Sequence, residues 1–210
     1  VLHYNNKILE TTPLKNHSTT LFITILLLLA ACENPFSART PEPPQQNTST
    51  FVPPTSPDIV FINLRIAIQE KNVENYIRCF VDTTRSNERF TFAPDQRAVT
   101  NHPGVFDFWQ LEDERRYVTR LFQALPADSA RALRLTEEER SEGAMQATFS
   151  HNYEISIRHT RRDEDIPVVF RGLSNFMLQR NETGDWAIYR WEDFTNGVDP
   201  SWSELKALFQ

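Results

Sequence analysis

Few side chains in this sequence stand where chemistry would need them. His151 falls in the run Met145 to Ile157, on the same alternating face as Phe149 and Tyr153. An imidazole titrates near neutrality, so a histidine facing a cavity has the makings of a general base. No carboxylate can be set beside it from spacing alone, and a buried histidine holding one hydrogen bond fits the same pattern. Tyr76, Tyr117 and Tyr153 lie in apolar periodic stretches. Each phenol either turns into a cavity as a donor or packs as core. Tyr76, Tyr117, His151 and Tyr153 are therefore the candidate cavity-lining residues, and His151 is the one candidate base. No residue is assigned as catalytic.

Other chemistries lack their residues. With five glycines, the sequence has no phosphate-cradling loop, and it holds no serine nucleophile elbow, HExxH or CxxC. No cofactor and no metal are expected. The net charge of −6 repels phosphate backbones, so nucleic acid is not an expected partner. The basic run Arg158, His159, Arg161 and Arg162 is followed at once by Asp163, Glu164 and Asp165, which reads as a solvated turn. Of the two cysteines, Cys79 sits beside Phe80 and reads as a small buried hydrophobe.

The elements that would position these residues follow from periodicity. Ser56-Pro57-Asp58 is a helix start, and Val60, Phe61, Leu64, Ala67 and Ile68 then repeat at helical spacing. Asn72 caps a short second helix carrying Val73, Tyr76, Ile77 and Phe80. Arg89 to Ala93 reads as a short strand stopped by Pro94. A third helix is expected from about Phe108 to Leu125, with an ion pair between Glu112 and Arg116. After Pro126 the period becomes two. A strand is expected around Ala130–Thr136, then a long one from Met145 to Ile157. The next has Val168, Phe170, Gly172, Ser174, Phe176 and Leu178 on one face, Gly172 permitting a bend or bulge. A turn at Asn181–Asp185 leads into a last strand, Trp186 to Phe194, with Trp186 and Trp191 on opposite faces and Arg190, Glu192 and Asp193 in cross-strand ion pairs. A short end helix is expected, with Asp199 as cap, Pro200 at its first position, and Trp202, Leu205 and Leu208 inside. The order specifies an α+β fold with helices packed on one face of a bent antiparallel sheet.

Ahead of this lies a different composition. Leu21 to Ala31 carries no charge and is about eleven residues long, against the roughly 20 that span a bilayer. It ends in Leu29-Ala30-Ala31-Cys32, which resembles the bacterial lipobox: a branched apolar residue, two small ones, then the cysteine that takes the lipid. The resemblance implies residues 1–31 as a signal peptide, lipidation of Cys32, and a membrane held through that lipid. Glu33, in place of Asp, implies transfer to the outer membrane, facing the periplasm. Residues 32–55 are proline-rich and polar, too poor in apolar surface to fold, and reach about 75 Å if extended. They read as a spacer before a domain spanning 56–210.

The stretches Asn72 to Phe80, Phe90 to Phe92 and Phe176 to Trp191 resemble the NTF2-like, cystatin-like cone superfamily. Cys32 to Phe36, the helix from Trp109 to Phe122 and the Trp186/Trp191 strand are similar to uncharacterised lipoproteins of that fold. The resemblance covers about Ser56 to Asn196. It implies a cone between helices and sheet, which some relatives use as isomerases or dehydratases of the ketosteroid-isomerase kind and others as binding modules. The reading preferred from sequence is a non-catalytic module for a small apolar ligand or an envelope protein. A homodimer through the sheet and an enzyme using the cone stay open.

Overall fold

A computed structural model describes residues 50–83, 88–161 and 166–210, which belong to one unit, Thr48–Gln210. The expected signal peptide, Cys32, most of the spacer and the acids Asp163 to Asp165 lie outside the described residues.

Helix α1 (Pro57–Glu70) opens on proline at its first position and an acid in its first turn, although Ser56 makes no side-chain cap. It buries Val60, Phe61, Leu64, Ala67 and Ile68, the expected stripe. It stops at Lys71, whose left-handed backbone (φ 57°) lets the Asn72 N–H donate to the Ala67 carbonyl at 2.9 Å. Asn72 then caps α2 (Val73–Ile77) by accepting from the Asn75 N–H. A helix absent from the sequence reading, α3 (Gln96–Asn101), follows β1 (Thr91–Ala93); Asp95 caps it, accepting from the Arg97 and Ala98 N–H groups. Helix α4 runs from Leu111 to Ala124, with Gln110 and Asp113 in a capping box.

Four long strands complete the fold: β2 (Arg131–Glu142), β3 (Gln146–Ile157), β4 (Val169–Arg180) and β5 (Trp186–Thr195), before α5 (Trp202–Leu208). The sheet order is β1-β5-β4-β3-β2, with β1 parallel to β5 and the other pairs antiparallel. In β3, Ala147, Phe149, His151, Tyr153, Ile155 and Ile157 are buried and face the helices, as their alternation requires. Among the described residues, no helix is long and apolar enough to cross a membrane.

Several expectations are corrected. Helix α4 starts three residues late, leaving Phe108 85% exposed, and Arg116 pairs with Asp113 at 3.0 Å rather than with Glu112. Strand β2 runs well beyond Thr136, because its polar half still pairs with β3 though it buries little. Met145 and Val168 fall outside the strands and are exposed. Trp186 and Trp191 share the buried face: Met177 pairs with Arg190 while Leu178 pairs with Ile188, so a bulge at Tyr189 shifts the alternation by one residue. The same shift buries Asp193 and leaves only Arg190 and Glu192 as an exposed pair, at 2.8 Å. Ser201, not Asp199, caps α5, and Phe209 is buried where Leu208 was expected. Asp199 pairs instead with Arg171 at 3.3 Å.

Residues 50–55 pack where a loose spacer was expected. Val52 and the Asn63 amide exchange hydrogen bonds at 2.9 and 2.7 Å, the Trp186 N–H donates to the Pro54 carbonyl, and the Arg78 guanidinium lies 3.8 Å from the centre of the Phe51 ring.

Candidate functional site

The interior between helices and sheet has two parts. In the first, α1 sets Phe61 against β3 and β4. The His151 ring lies 4.6 Å from Phe61, 5.8 Å from Phe149 and 6.0 Å from Phe176, centre to centre. Its Nδ1 has no hydrogen-bond partner among the described residues, and burial lowers its pKa below the ordinary histidine value. Glu137, opposite it on β2, works the other way, as does Asp58, while Arg140 adds to the lowering. Among the described residues no carboxylate is hydrogen-bonded to this imidazole in the orienting role that a general base calls for.

The second part is polar. Glu114 on α4 and Lys206 on α5 are fully buried and form an ion pair at 2.5 Å. Tyr76 donates to Oε1 of Glu114 at 2.6 Å, and the Trp109 indole donates to Oε2 at 2.8 Å. The Lys206 ammonium lies 3.7 Å from the ring centre of Trp191, 3.9 Å from Phe92, and 5.5 Å from both Trp109 and Tyr117. Burial lowers the Lys206 pKa to about 8, against the raising effect of Glu114. Burial, then Glu114, pushes the Tyr76 and Tyr117 phenols well up.

A second network adjoins the first. Asp193 accepts from the Ser203 N–H and hydroxyl at 2.7 and 2.6 Å. Ser203 accepts from the Asp95 N–H, and Ser201 donates to the Asp95 carboxylate. Tyr153 crosses from β3 to accept from the Trp202 N–H at 2.6 Å, passing over Gly172; a Cβ at that glycine would meet the Tyr153 hydroxyl at 2.5 Å. Gly172 thus makes room for a side chain. The β3–β4 register runs through it unbroken, without the bulge that the sequence also allowed.

The structure therefore brings Tyr76 and Tyr117 together around Glu114 and Lys206, sets Tyr153 in the adjoining network, and leaves His151 apart. Glu114, Lys206 and Asp193 are the residues that sequence reasoning missed. Their signal was positional. Glu114 sits three residues after Leu111 and three before Tyr117, on the apolar line of α4. Trp202, Leu205, Lys206 and Phe209 occupy i, i+3, i+4 and i+7.

An amine with a pKa near 8 has the reactivity of a base or nucleophile. Here it has no exposed surface and is enclosed by rings and a carboxylate, so no reacting atom can approach it. None of Tyr76, Tyr117, His151 and Tyr153 lines any of the described cavities. Two adjoining openings are lined by other residues. One, of about 670 Å³, has an aromatic wall of Phe90, Phe92, Phe106, Phe108 and Trp109 with Arg89 and Arg115 at its edge. It shares Ile77, Val81, Leu111 and Arg115 with a second, of about 630 Å³, walled by Phe51, Pro53 and Pro54. Among the described residues, no group of three histidine, cysteine, aspartate or glutamate side chains could hold a metal ion.

No family model and no curated protein matches the chain. Solved structures do. A conserved protein from Planctomyces limnophilus superposes with a TM-score of 0.50 at 13% identity, over 65% of this chain and 91% of its own. A proposed dehydratase of the NTF2-like family from Streptomyces avermitilis gives 0.45 at 9%, over 66% and 91%. A Nostoc punctiforme protein of unknown function with a cystatin-like fold gives 0.42 at 12%, over 67% and 89%. At such identities the likeness concerns the fold alone. In the described part of this chain helices lie on one face of a five-stranded sheet, and the superposition on the Planctomyces protein is a likeness of that fold.

Proposed function

We propose that this chain is a lipid-anchored lipoprotein of the cell envelope whose NTF2-like domain is a non-catalytic binding module. The observation that carries the non-catalytic half is the filled interior: Trp202, Lys206, Trp191 and Tyr117 are fully buried where a substrate would have to sit. Binding then falls to the aromatic groove whose wall holds the exposed Phe108. Its apolar rings suit a small apolar ligand or an apolar segment of an envelope protein. The anchor half is supported by Leu29-Ala30-Ala31-Cys32 closing an uncharged run ahead of a proline-rich stretch. Glu33 after the cysteine favours the outer membrane, facing the periplasm.

Two measurements test this. Cys32→Ser should abolish metabolic labelling with a fatty acid and move the protein from the membrane to the soluble fraction; a mutant that stays with the membrane removes the anchor. Fluorescence titration of the Cys32→Ser protein with an apolar naphthalene dye should give saturable binding. Phe108→Ala should weaken it about tenfold, as expected for losing an aromatic anchor. Equal binding by both proteins would remove the groove.

A further inference from the structure

The Lys206 ammonium has the surroundings that proteins use to recognise a cationic ligand. Four aromatic rings, from Phe92, Trp109, Tyr117 and Trp191, stand within 5.5 Å of it, on β1, α4, β5 and the loop before α4. Glu114 supplies the counter-charge. That carboxylate is itself held by Tyr76 and Trp109, so it is aimed at the ammonium by residues outside α5. The four rings and the carboxylate of this chamber all come from elements other than α5, while Trp202 of α5 packs on Trp191 and donates to the Tyr117 hydroxyl. The lysine is the chamber's occupant.

We propose that the interior is a receptor site for a primary alkylammonium ion, self-liganded by Lys206. The site's components point to this ligand class separately. Ring faces attract a cation but leave its hydrogens unpaired. A single carboxylate accepts from one face of a primary ammonium. A planar guanidinium would need a second acceptor to match its fork, and among the described residues Glu114 is the acid that forms an ion pair with the group, Asp193 adding only the attraction of its charge. The inference rests on the reading that the interior is closed and not catalytic, but not on the anchor or on the outer groove. It also gives α5 a role. The helix is latched into the fold by presenting an ammonium to a site built for one, and the interior is closed to other amines because its own is tethered there.

Lys206→Ala removes three methylenes and the ammonium, the atoms of propylammonium. The full chain carrying that substitution should melt lower, and propylammonium chloride should raise its Tm saturably, by on the order of 5 °C. The wild type should not respond, nor should Lys206→Met, in which apolar atoms fill the space. Propanol and sodium chloride at equal concentration should leave Lys206→Ala unchanged. Adding Glu114→Gln should weaken the propylammonium response at least tenfold. Equal shifts in wild type and variant would overturn the proposal, and so would propanol matching propylammonium, since the chamber would then be merely apolar. Should Lys206→Ala fail to fold alone, the readout becomes refolding yield. Recovery with propylammonium and not with propanol supports the site; no recovery overturns it. The groove shares Phe92 and Trp109 with this chamber, so the dye titration is repeated on Lys206→Ala: unchanged dye affinity beside a propylammonium response separates the two readings, and the groove keeps its own test in Phe108→Ala.

Discussion

The two halves of the interior share one sheet and are built on opposite principles. Around Phe61, Phe149 and Phe176, α1 meets β3 and β4 through apolar side chains, with His151 and its cross-strand neighbour Ser174 as buried polar groups. Around Glu114 and Asp193, α4 and α5 meet β5 through an ion pair, buried carboxylates and aromatic hydrogen-bonding groups, namely Tyr76, Trp109, Tyr117, Tyr153, Trp191 and Trp202. The apolar half gains from any residue of suitable size, because burial is non-directional. The polar half gains only from a particular set, because each charge removed from water needs its partners in place. The first half makes the fold; the second fixes where α5 sits in it.

The largest expected effects break the polar half. Glu114→Ala or Lys206→Ala leaves one buried charge without its partner, and each should cost about 3–5 kcal/mol in urea unfolding. Glu114→Leu combined with Lys206→Met removes both charges and should recover most of that loss. A double mutant as unstable as the sum of the singles would mean that the two residues act independently. Phe149→Ala tests the apolar half, at about 3–5 kcal/mol through lost burial and a cavity beside Phe61, while Thr148→Ala on the opposite face should change little. No double mutant should restore Phe149→Ala without refilling its volume, and that is how the two halves differ.

The sequence made the apolar half legible and concealed the polar one. Val60, Phe61, Leu64, Phe149 and Ile155 are buried because their spacing says so. Hydrophobic period is the signal that folding reads there, and the same signal can be read from the string. Glu114 and Lys206 stand at apolar-stripe positions, but their type argues for a solvated face, since charged residues are almost never fully buried unless paired. Their pairing spans 92 positions, which no local pattern contains. The bulge at Tyr189 is hidden for the same reason. Nothing in Trp186 to Phe194 marks the extra residue, so strict alternation sends Trp191 and Asp193 to the wrong sides. Of the candidate cavity residues, the three tyrosines were visible as aromatic positions on buried faces. What they bond to was not visible, because each partner lies on another element. The fold class followed from element order alone; the site had to wait for the elements to be packed.

Gly172 lies on the seam between sheet and α5, and a smaller effect is expected there. Gly172→Ala places a methyl against the Phe194 carbonyl and the Tyr153 hydroxyl, the latter 2.5 Å from where its carbon would sit. It should cost about 1–3 kcal/mol by overpacking. Tyr153→Phe in the same chain should relieve part of that cost, since the hydroxyl is a point of closest approach. If Gly172→Ala is neutral, Tyr153 is free to move and its bond to the Trp202 N–H does not hold α5.

The smallest effect expected is the pH response of the apolar half. His151 is buried among Phe61, Phe149 and Phe176, and its pKa is lowered by that burial. Glu137 and Asp58 offset the lowering in part, and Arg140 reinforces it. In the unfolded chain the imidazole takes its proton as the pH falls through about 6.5. In the folded chain it takes the proton only at lower pH. Between those two values the unfolded state binds more protons, so stability falls on acidification and is regained as the pH rises. His151→Gln should flatten this part of the stability profile between pH 7 and 5, while leaving dye binding to the outer groove as it was. A variant that keeps the full wild-type slope would assign the acid sensitivity to other groups. A variant that loses binding together with the slope would return His151 to the functional site, against its separation from every described cavity.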